Sequence, residues 1–338
     1  MTCFVSQKII EYSKLHGISV VVAYSDKCES SFKDVNHLWN SHEEADTKMM
    51  LCAKDATLSG ASLIEIHSPD SDVLIIALRR YPELCKSTFF VTGKGADSKI
   101  LPLEFIYDSL GTDVCNALPG LHALSGADIT GSFSGKAMKT WWNAFETTSV
   151  EIMSALAHLG CSETLDEDVF LKIEELVCRV YARKSELKTV SELRWAMFKK
   201  NQSTSESLPP TRDALRLAIL RAHYQCMIWA NDIISNPIIP SPCECGWKWE
   251  EDKWIEVMMT KPPAPEAVLS LVKCNCDKTK CANNHCSCRK VKLNCTELCG
   301  CAAEEDNCEN LEVEVDEDEE QNGDDDDEQN DEGGQNDE

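Results

Sequence analysis

The sequence predicts an α/β fold with a mostly parallel sheet and helical cover, then a helical region, a small cysteine-rich module and a disordered acidic tail. Three observations carry this. Short apolar runs alternate with helical patterns over residues 1–150. Nine of the 19 cysteines crowd into residues 274–308. From Glu309 to Glu338 there are 17 acidic residues and no basic one.

In chain order, residues 6–16 predict a short amphipathic helix and residues 19–24 (SVVVAY) an apolar strand. Residues 43–56 read as helix, 62–67 (SLIEIH) as strand and 73–78 as a buried apolar run. Residues 88–92 and 98–103 flank Gly93–Lys94–Gly95 and predict a hairpin. The same T-G-K-G-A-D-S-K stretch lacks the G-K-[ST] ending of a phosphate loop. Residues 105–110 and 114–125 are helical in pattern. Residues 151–236 form a helical region, with periodicity at 166–181, 189–199 and 212–234 broken by the polar loop 201–210. Residues 237–272 are a Pro- and Trp-rich connector holding Trp247, Trp249 and Trp254, expected as a strap or short strands. Cys243 and Cys245 within it are too few for a metal site. No internal repeat is evident.

The module at 273–310 carries Cys274, Cys276, Cys281, Cys286, Cys288, Cys295, Cys299, Cys301 and Cys308. Nine is odd, so disulfides cannot pair them all, and the three C-x-C pairs sit too close to bridge internally without strain. Thiolate–metal coordination, with zinc as the metal, accounts for such density. Three four-coordinate zinc ions need twelve ligand positions, which nine thiolates fill if three of them bridge. The resulting formal charge of −3 would be offset by Lys273, Lys278, Lys280, Arg289, Lys290 and Lys292.

The run C-N-C-D-K-T-K-C-A-N-N-H-C-S-C-R-K-V-K-L-N-C-T-E-L-C-G-C resembles the CXC domain of tesmin/TSO1-type proteins over about 35 residues. That family holds three zinc ions on nine cysteines and binds DNA. The resemblance implies nucleic-acid contacts from His285, Arg289 and Lys290. Here the interval from Cys301 to Cys308 is longer than the family's, His285 stands where the family has a base-contacting tyrosine, and there is one copy of the module where the family's DNA binders usually carry two.

The tail, 311–338, is rich in Asp, Glu, Asn, Gln and Gly and almost free of apolar residues, so it is expected to be disordered. Removing its 17 acidic charges, counted from Glu309, from the net −25 leaves −8 on the first 308 residues. Three roles fit it: a solubilising tail, a shield over the basic module, or a binder of histones or other basic proteins. No signal peptide and no run of roughly 20 apolar residues is visible, so a secreted or membrane protein is not expected. The other cysteines are mostly scattered singly, which suits a reducing nuclear or cytoplasmic compartment.

Five carboxylates fall in three short groups: Glu44 and Asp46 in S-H-E-E-A-D-T, Asp70 and Asp72 in S-P-D-S-D-V-L-I, and Asp128 in L-S-G-A-D-I-T. A D-x-D just past a strand end puts two charges in one crevice. Converging carboxylates call for a hard cation such as Mg²⁺ or Mn²⁺, which can activate water against a phosphodiester. Each pair also has a structural use, as a helix N-cap or as a macrodipole partner.

Order and spacing of these groups, followed by G-S-F-S-G-K-A, resemble the PIN-like core of flap-endonuclease-type 5′ nucleases over residues 17–145. The resemblance implies metal ligation by Glu44, Asp46, Asp70, Asp72 and Asp128. It sets Gly135–Lys136–Ala137 at the turn that faces a DNA phosphate, with Lys136 and Lys139 as backbone contacts. The chain is also similar to animal proteins of transposon-like spread that combine E-E-A-D-T, S-P-D-S-D-V-L and L-P-G-x-H-A-L-x-G-x-D with a cysteine-rich C-terminus. Nucleases of the PIN type have a further aspartate on a first strand that has no counterpart here. The expectation is therefore an N-terminally incomplete 5′-nuclease-like domain at 1–150, with impaired or absent hydrolysis.

Two functions remain open on the sequence: a DNA- or RNA-associated, zinc-binding protein with a metal-dependent nuclease-like core, or a non-catalytic DNA- or protein-binding protein with a degenerate crevice. His42, His67 and His122 either line the crevice or serve packing. Trp141–Trp142, Met49–Met50 and Cys52, Cys85, Cys115, Cys161, Cys178 and Cys226 are expected in the core.

Overall fold

The computed structural model describes residues 2–199, 207–262, 273–276, 280–295, 299–302, 304 and 306–310. The acidic tail 311–338, Lys278 and residues 201–206 of the polar loop lie outside the described residues. The chain divides into two compact units, Met1–Ala264 and Pro265–Glu338.

The first unit is mixed α and β. Helix α1 (Thr2–His16) leads to strands β1 (Val21–Tyr24) and β2 (Lys27–Ser30), which pair antiparallel. A two-residue turn, with Ser25 at φ 49°, commits β1 to this local hairpin. Helix α2 (Ala45–Leu58) precedes β3 (Ile64–His67), whose alternation buries Ile64 and Ile66. Residues 73–78 turn out helical: α3 (Ser71–Arg80) starts where Asp70 caps it and buries Val73, Ile76, Ala77 and Leu78. Strand β4 (Thr88–Thr92) pairs parallel with β3 and antiparallel with β5 (Lys99–Pro102).

The expected hairpin therefore forms. Gly93 at its turn has φ +84°, and a Cβ there would lie 2.4 Å from the Asp97 carbonyl oxygen. The sheet is smaller and more mixed than the mostly parallel one expected. Among the described residues it has three strands in the order β3-β4-β5, because β1 is held in its own hairpin and 73–78 is helical.

Helices α4 (Leu103–Leu110) and α5 (Thr112–Gly126) follow. From Ala117 to Ser125 every residue of α5 is buried, which marks it as the central helix. Gly120 lets α7 (Val150–His158) approach so closely that a Cβ would sit 2.3 Å from the Leu156 carbonyl oxygen. Helices α6 (Met138–Phe145), α8 (Glu167–Tyr181), α9 (Val190–Lys199) and α10 (Arg212–Ala230) complete the cover. One hydrophobic core runs from Met50 through Trp141 and Phe170 to Trp229, joining the sheet half to the helical region.

In the connector, β6 (Trp247–Glu250) and β7 (Lys253–Glu256) form a hairpin with Trp249 edge-on to Trp254. Buried Arg221 of α10 donates from Nη1 to the carbonyl oxygens of Gly246 and Val257, tying that hairpin down.

Candidate metal centres

Two sets of side chains gather in the structure, one in each unit. In the first unit, the start of α2, the start of α3 and the end of α5 supply the acidic groups. Glu44 occupies the N-cap position of α2 without capping it, which leaves its carboxylate free to accept from Gln225 Nε2 at 2.9 Å. Burial raises the Glu44 pKa, and the charges of Asp72 and Asp128 raise it further against the Gln225 hydrogen bond. The buried indole N–H of Trp229 lies beside Glu44 without closing a hydrogen bond of good geometry.

Asp46 sits in the first turn of α2. Its pKa is pushed up to about 6, first by burial and then by the charges of Asp70, Asp72, Glu44 and Asp128. All five carboxylates therefore share one electrostatic neighbourhood. They stay apart all the same: among the described residues no three carboxylates bring oxygens within 4.8 Å of one another.

Asp70 does act as the N-cap of α3, accepting from the Asp72 amide at 3.0 Å, while Ser68 Oγ accepts from the Asp70 amide. Asp72 is buried, and its Oδ1 lies 2.6 Å from Nε2 of buried His122 on α5. The other ring nitrogen of His122 has no partner, and the ring stacks on Trp229 at 6.2 Å between centroids. Asp128 is exposed on the turn after α5. Thr130 Oγ1 staples that turn, accepting from the Ala127 amide and donating to the Ala123 carbonyl.

Of the candidate histidines, His122 alone reaches the acidic group. His42 is buried against the Ile234 carbonyl, and burial lowers its pKa. His67 is exposed beside Glu65. Gln225 and Trp229, which complete the surround from α10, carry no signal in the sequence: each is a lone residue on a helix some 180 positions from Glu44. Gly135 adopts φ +66° ahead of Lys136, whose ammonium lies 4.3 Å from the Tyr181 ring centroid. Lys139 is exposed on α6.

In the second unit the cysteines form the core. All but Cys276 are buried, and Cys276 packs against them. The Sγ atoms of Cys274 lie 3.6 Å from Cys281, 3.9 Å from Cys295 and 3.8 Å from Cys301. Cys286–Cys295, Cys288–Cys299 and Cys281–Cys295 are separated by 3.8, 3.5 and 3.7 Å. A disulfide would require about 2.05 Å. Four thiolates at about 2.3 Å from one zinc form a tetrahedron with edges of about 3.8 Å, and the sulfurs stand at that spacing.

Four overlapping quartets arise: Cys274, Cys286, Cys288 and Cys295; Cys274, Cys295, Cys299 and Cys301; Cys274, Cys276, Cys281 and Cys286; and Cys281, Cys295, Cys301 and Cys308. All nine cysteines take part, including Cys308 beyond the long interval. These buried groups can hold zinc.

Backbone and amide N–H groups back the sulfurs: Arg289 N to Cys286, Asn310 N to Cys308 and Asn310 Nδ2 to Cys295. The single helical turn Ser287–Lys290 provides the first of these. Of the basic residues, Arg289 is turned inward and donates from Nη2 to the Glu309 carbonyl at 2.7 Å, whereas His285 and Lys290 are exposed. Cys243 is exposed and Cys245 buried, and neither joins a metal-sized group among the described residues. Among the described residues no helix is long and apolar enough to cross a membrane.

Comparison with protein-family models finds none that matches the chain, and searches of curated proteins and of solved structures likewise find no match.

Proposed function

We propose that the chain is a zinc-binding, nucleic-acid-associated protein of the nucleus or cytoplasm, and that its acidic crevice takes Mg²⁺ or Mn²⁺ for phosphodiester hydrolysis. The observation that carries the reading is the state of Asp46. Burial first, and then the charges of four other carboxylates, push its pKa up to about 6, and a divalent cation is the ligand that offsets both. Among the described residues no three carboxylates bring oxygens within 4.8 Å of one another, so an ion held here would keep several waters, as Mg²⁺ does, and bridge to a phosphate. Asp46, Asp70 and Asp128 would hold the ion, with Glu44 and Asp72 oriented by Gln225 and His122. The likeness to PIN-type 5′ nucleases and the CXC module agrees with this chemistry, and three zinc ions on nine thiolates would use the overlapping quartets through shared Cys274 and Cys295.

The test uses zinc-loaded full-length protein and a labelled single-stranded or flap oligonucleotide. Cleavage should rise with Mn²⁺ or Mg²⁺ and vanish in Asp46→Asn and Asp70→Ala. No cleavage at any ion concentration rejects hydrolysis. That outcome leaves the second reading, a non-catalytic binder of DNA, RNA or protein. A specific feature favours it: Asp70 spends one oxygen on the α3 cap and Asp72 one on His122, halving what each can give an ion.

A further inference from the structure

A basic cavity of about 660 Å³ lies where α8 ends and the chain turns into α9. Arg179, Arg183, Lys184 and Lys188 line it, against only Glu175 and Glu186. Glu175 is already shared, 2.6 Å from Arg179 and 3.6 Å from Lys188. Arg183 and Lys184 are exposed and have no ion-pair partner among the described residues. Arg179 lies in the last helical turn, where a cation offsets the macrodipole, but Arg183 and Lys184 lie past that turn and are not needed for it. A chain whose first 308 residues are net acidic has thus concentrated unpaired positive charge in one concave place.

A second observation links this place to the crevice. Tyr181, the last residue of α8, carries the ammonium of Lys136 over its ring at 4.3 Å. Lys136 lies in the same loop, 127–137, as Asp128. One loop therefore carries both Asp128 of the acidic group and an ammonium on the face of Tyr181, two residues before the Arg183–Lys184 pair.

We propose that the Arg183–Lys184 cavity, extended by Lys136 on Tyr181, binds the sugar-phosphate backbone of a single-stranded nucleic acid and leads it towards Asp128. The proposal deepens the nuclease-type reading by assigning it a substrate-binding surface. A guanidinium fork beside an ammonium matches phosphate oxygens, and the volume suits a nucleotide unit rather than a bare ion. Contacts led by charge to the backbone imply weak sequence preference and strong salt dependence.

The experiment is fluorescence anisotropy on zinc-loaded full-length protein without added Mg²⁺ or Mn²⁺, using labelled oligo-dT and oligo-U across a salt series. Arg183→Glu/Lys184→Glu should weaken binding at least tenfold near 0.1 M salt and reduce the log–log salt slope by about 1.4. Arg183→Gln/Lys184→Gln should lie between that variant and wild type. Lys253→Glu, on the exposed face of β7, changes the net charge by as much as the glutamine pair and is the control for it. The proposal is overturned if the double reversal, or the glutamine pair, binds as tightly as the Lys253→Glu control does. Its failure is separable from that of the parent reading. Arg183-dependent binding without cleavage keeps the cavity and rejects the hydrolase, while Mn²⁺-dependent cleavage indifferent to both charges does the reverse.

Discussion

His122 Nε2 lies 2.6 Å from Asp72 Oδ1, with both side chains buried. The pair ties the central helix α5 to the start of α3, and so fixes one side of the acidic group. The L-P-G-x-H segment thereby gains a physical reading: Gly120 admits α7 against one face of α5, and His122 two residues on is spent on Asp72. His122→Ala should leave a buried carboxylate without its donor and lower stability by about 1–3 kcal/mol. His122→Asn, which keeps a donor, should recover part of that. Urea melts of the three proteins decide it, and an alanine variant as stable as wild type would refute the pairing's importance.

The crevice makes a pH prediction. Asp46 has a folded-state pKa of about 6, above its ordinary 3.8. The native state therefore binds this proton more readily than the unfolded chain, and the Asp46 contribution to stability without divalent ions rises as pH falls from above 6 towards 4. Asp46→Asn should remove that slope and stabilise the ion-free protein at pH 7, by on the order of 1 kcal/mol once solvent screening is allowed for. Saturating Mn²⁺ should reverse the ranking, with wild type gaining more. Thermal melts at pH 5 and 7, with and without Mn²⁺, provide the comparison; a variant less stable than wild type without ions would contradict the repulsion.

The turn after α7 packs on α10 through Gly160. Gly160 has φ +78°, and a Cβ there would fall 2.3 Å from the Cys226 carbonyl carbon and the Met227 amide nitrogen. Its amide donates to His223 Nδ1 at 3.1 Å, while Nε2 of that ring meets the Ser162 carbonyl at 2.9 Å. The imidazole must thus be neutral with its proton on Nε2, consistent with the lowering of its pKa by burial. Gly160→Ala should cost about 3 kcal/mol, through strain and overpacking together. A neutral buried histidine also means that the His223 contribution to stability is lost as pH falls below 6.5, the ordinary histidine value, because the unfolded chain takes up the proton first. His223→Gln should blunt that acid limb in chemical denaturation; an unchanged limb would place its origin elsewhere.

What could be read in advance follows from how local each signal is. Nine cysteines within 35 residues declare thiolate ligation because spacing alone limits the alternatives, and their sulfurs do meet at tetrahedral separations. The β4–β5 hairpin was legible from Gly93 and Gly95, which both take positive φ. Glu44, Asp46, Asp70, Asp72 and Asp128 could be grouped from motif order, but not the wall behind them. Gln225 and Trp229 arrive from α10 by tertiary packing, which leaves no periodic trace. Residues 73–78 are apolar enough to be strand or helix, and only the Asp70 cap settles the matter. Helices α6 and α7, at eight and nine residues, are too short to show a sustained 3.6 period.

The cysteine module supports the sharpest ranking of variants. Cys274 belongs to three of the four sulfur quartets, Cys308 to one. If the quartets mark the ion positions, Cys274→Ser removes a thiolate that several ions share, whereas Cys308→Ser removes a terminal ligand that water can replace. Zinc content by mass spectrometry should therefore fall by at least two ions per chain in Cys274→Ser and by at most one in Cys308→Ser. Thiol burial also bears on metal release. Burial and neighbouring thiols hold the Cys288 pKa up to about 12, so without metal this sulfur keeps its proton at neutral pH and zinc binding must expel it. Zinc uptake by chelator-stripped protein should accordingly release protons and become tighter as pH rises from 6 to 8, measured by calorimetry in buffers of different ionisation enthalpy. Equal zinc loss in the two serine variants would break the link between shared quartets and shared ions, and uptake without proton release would show that the sulfurs are not the ligands.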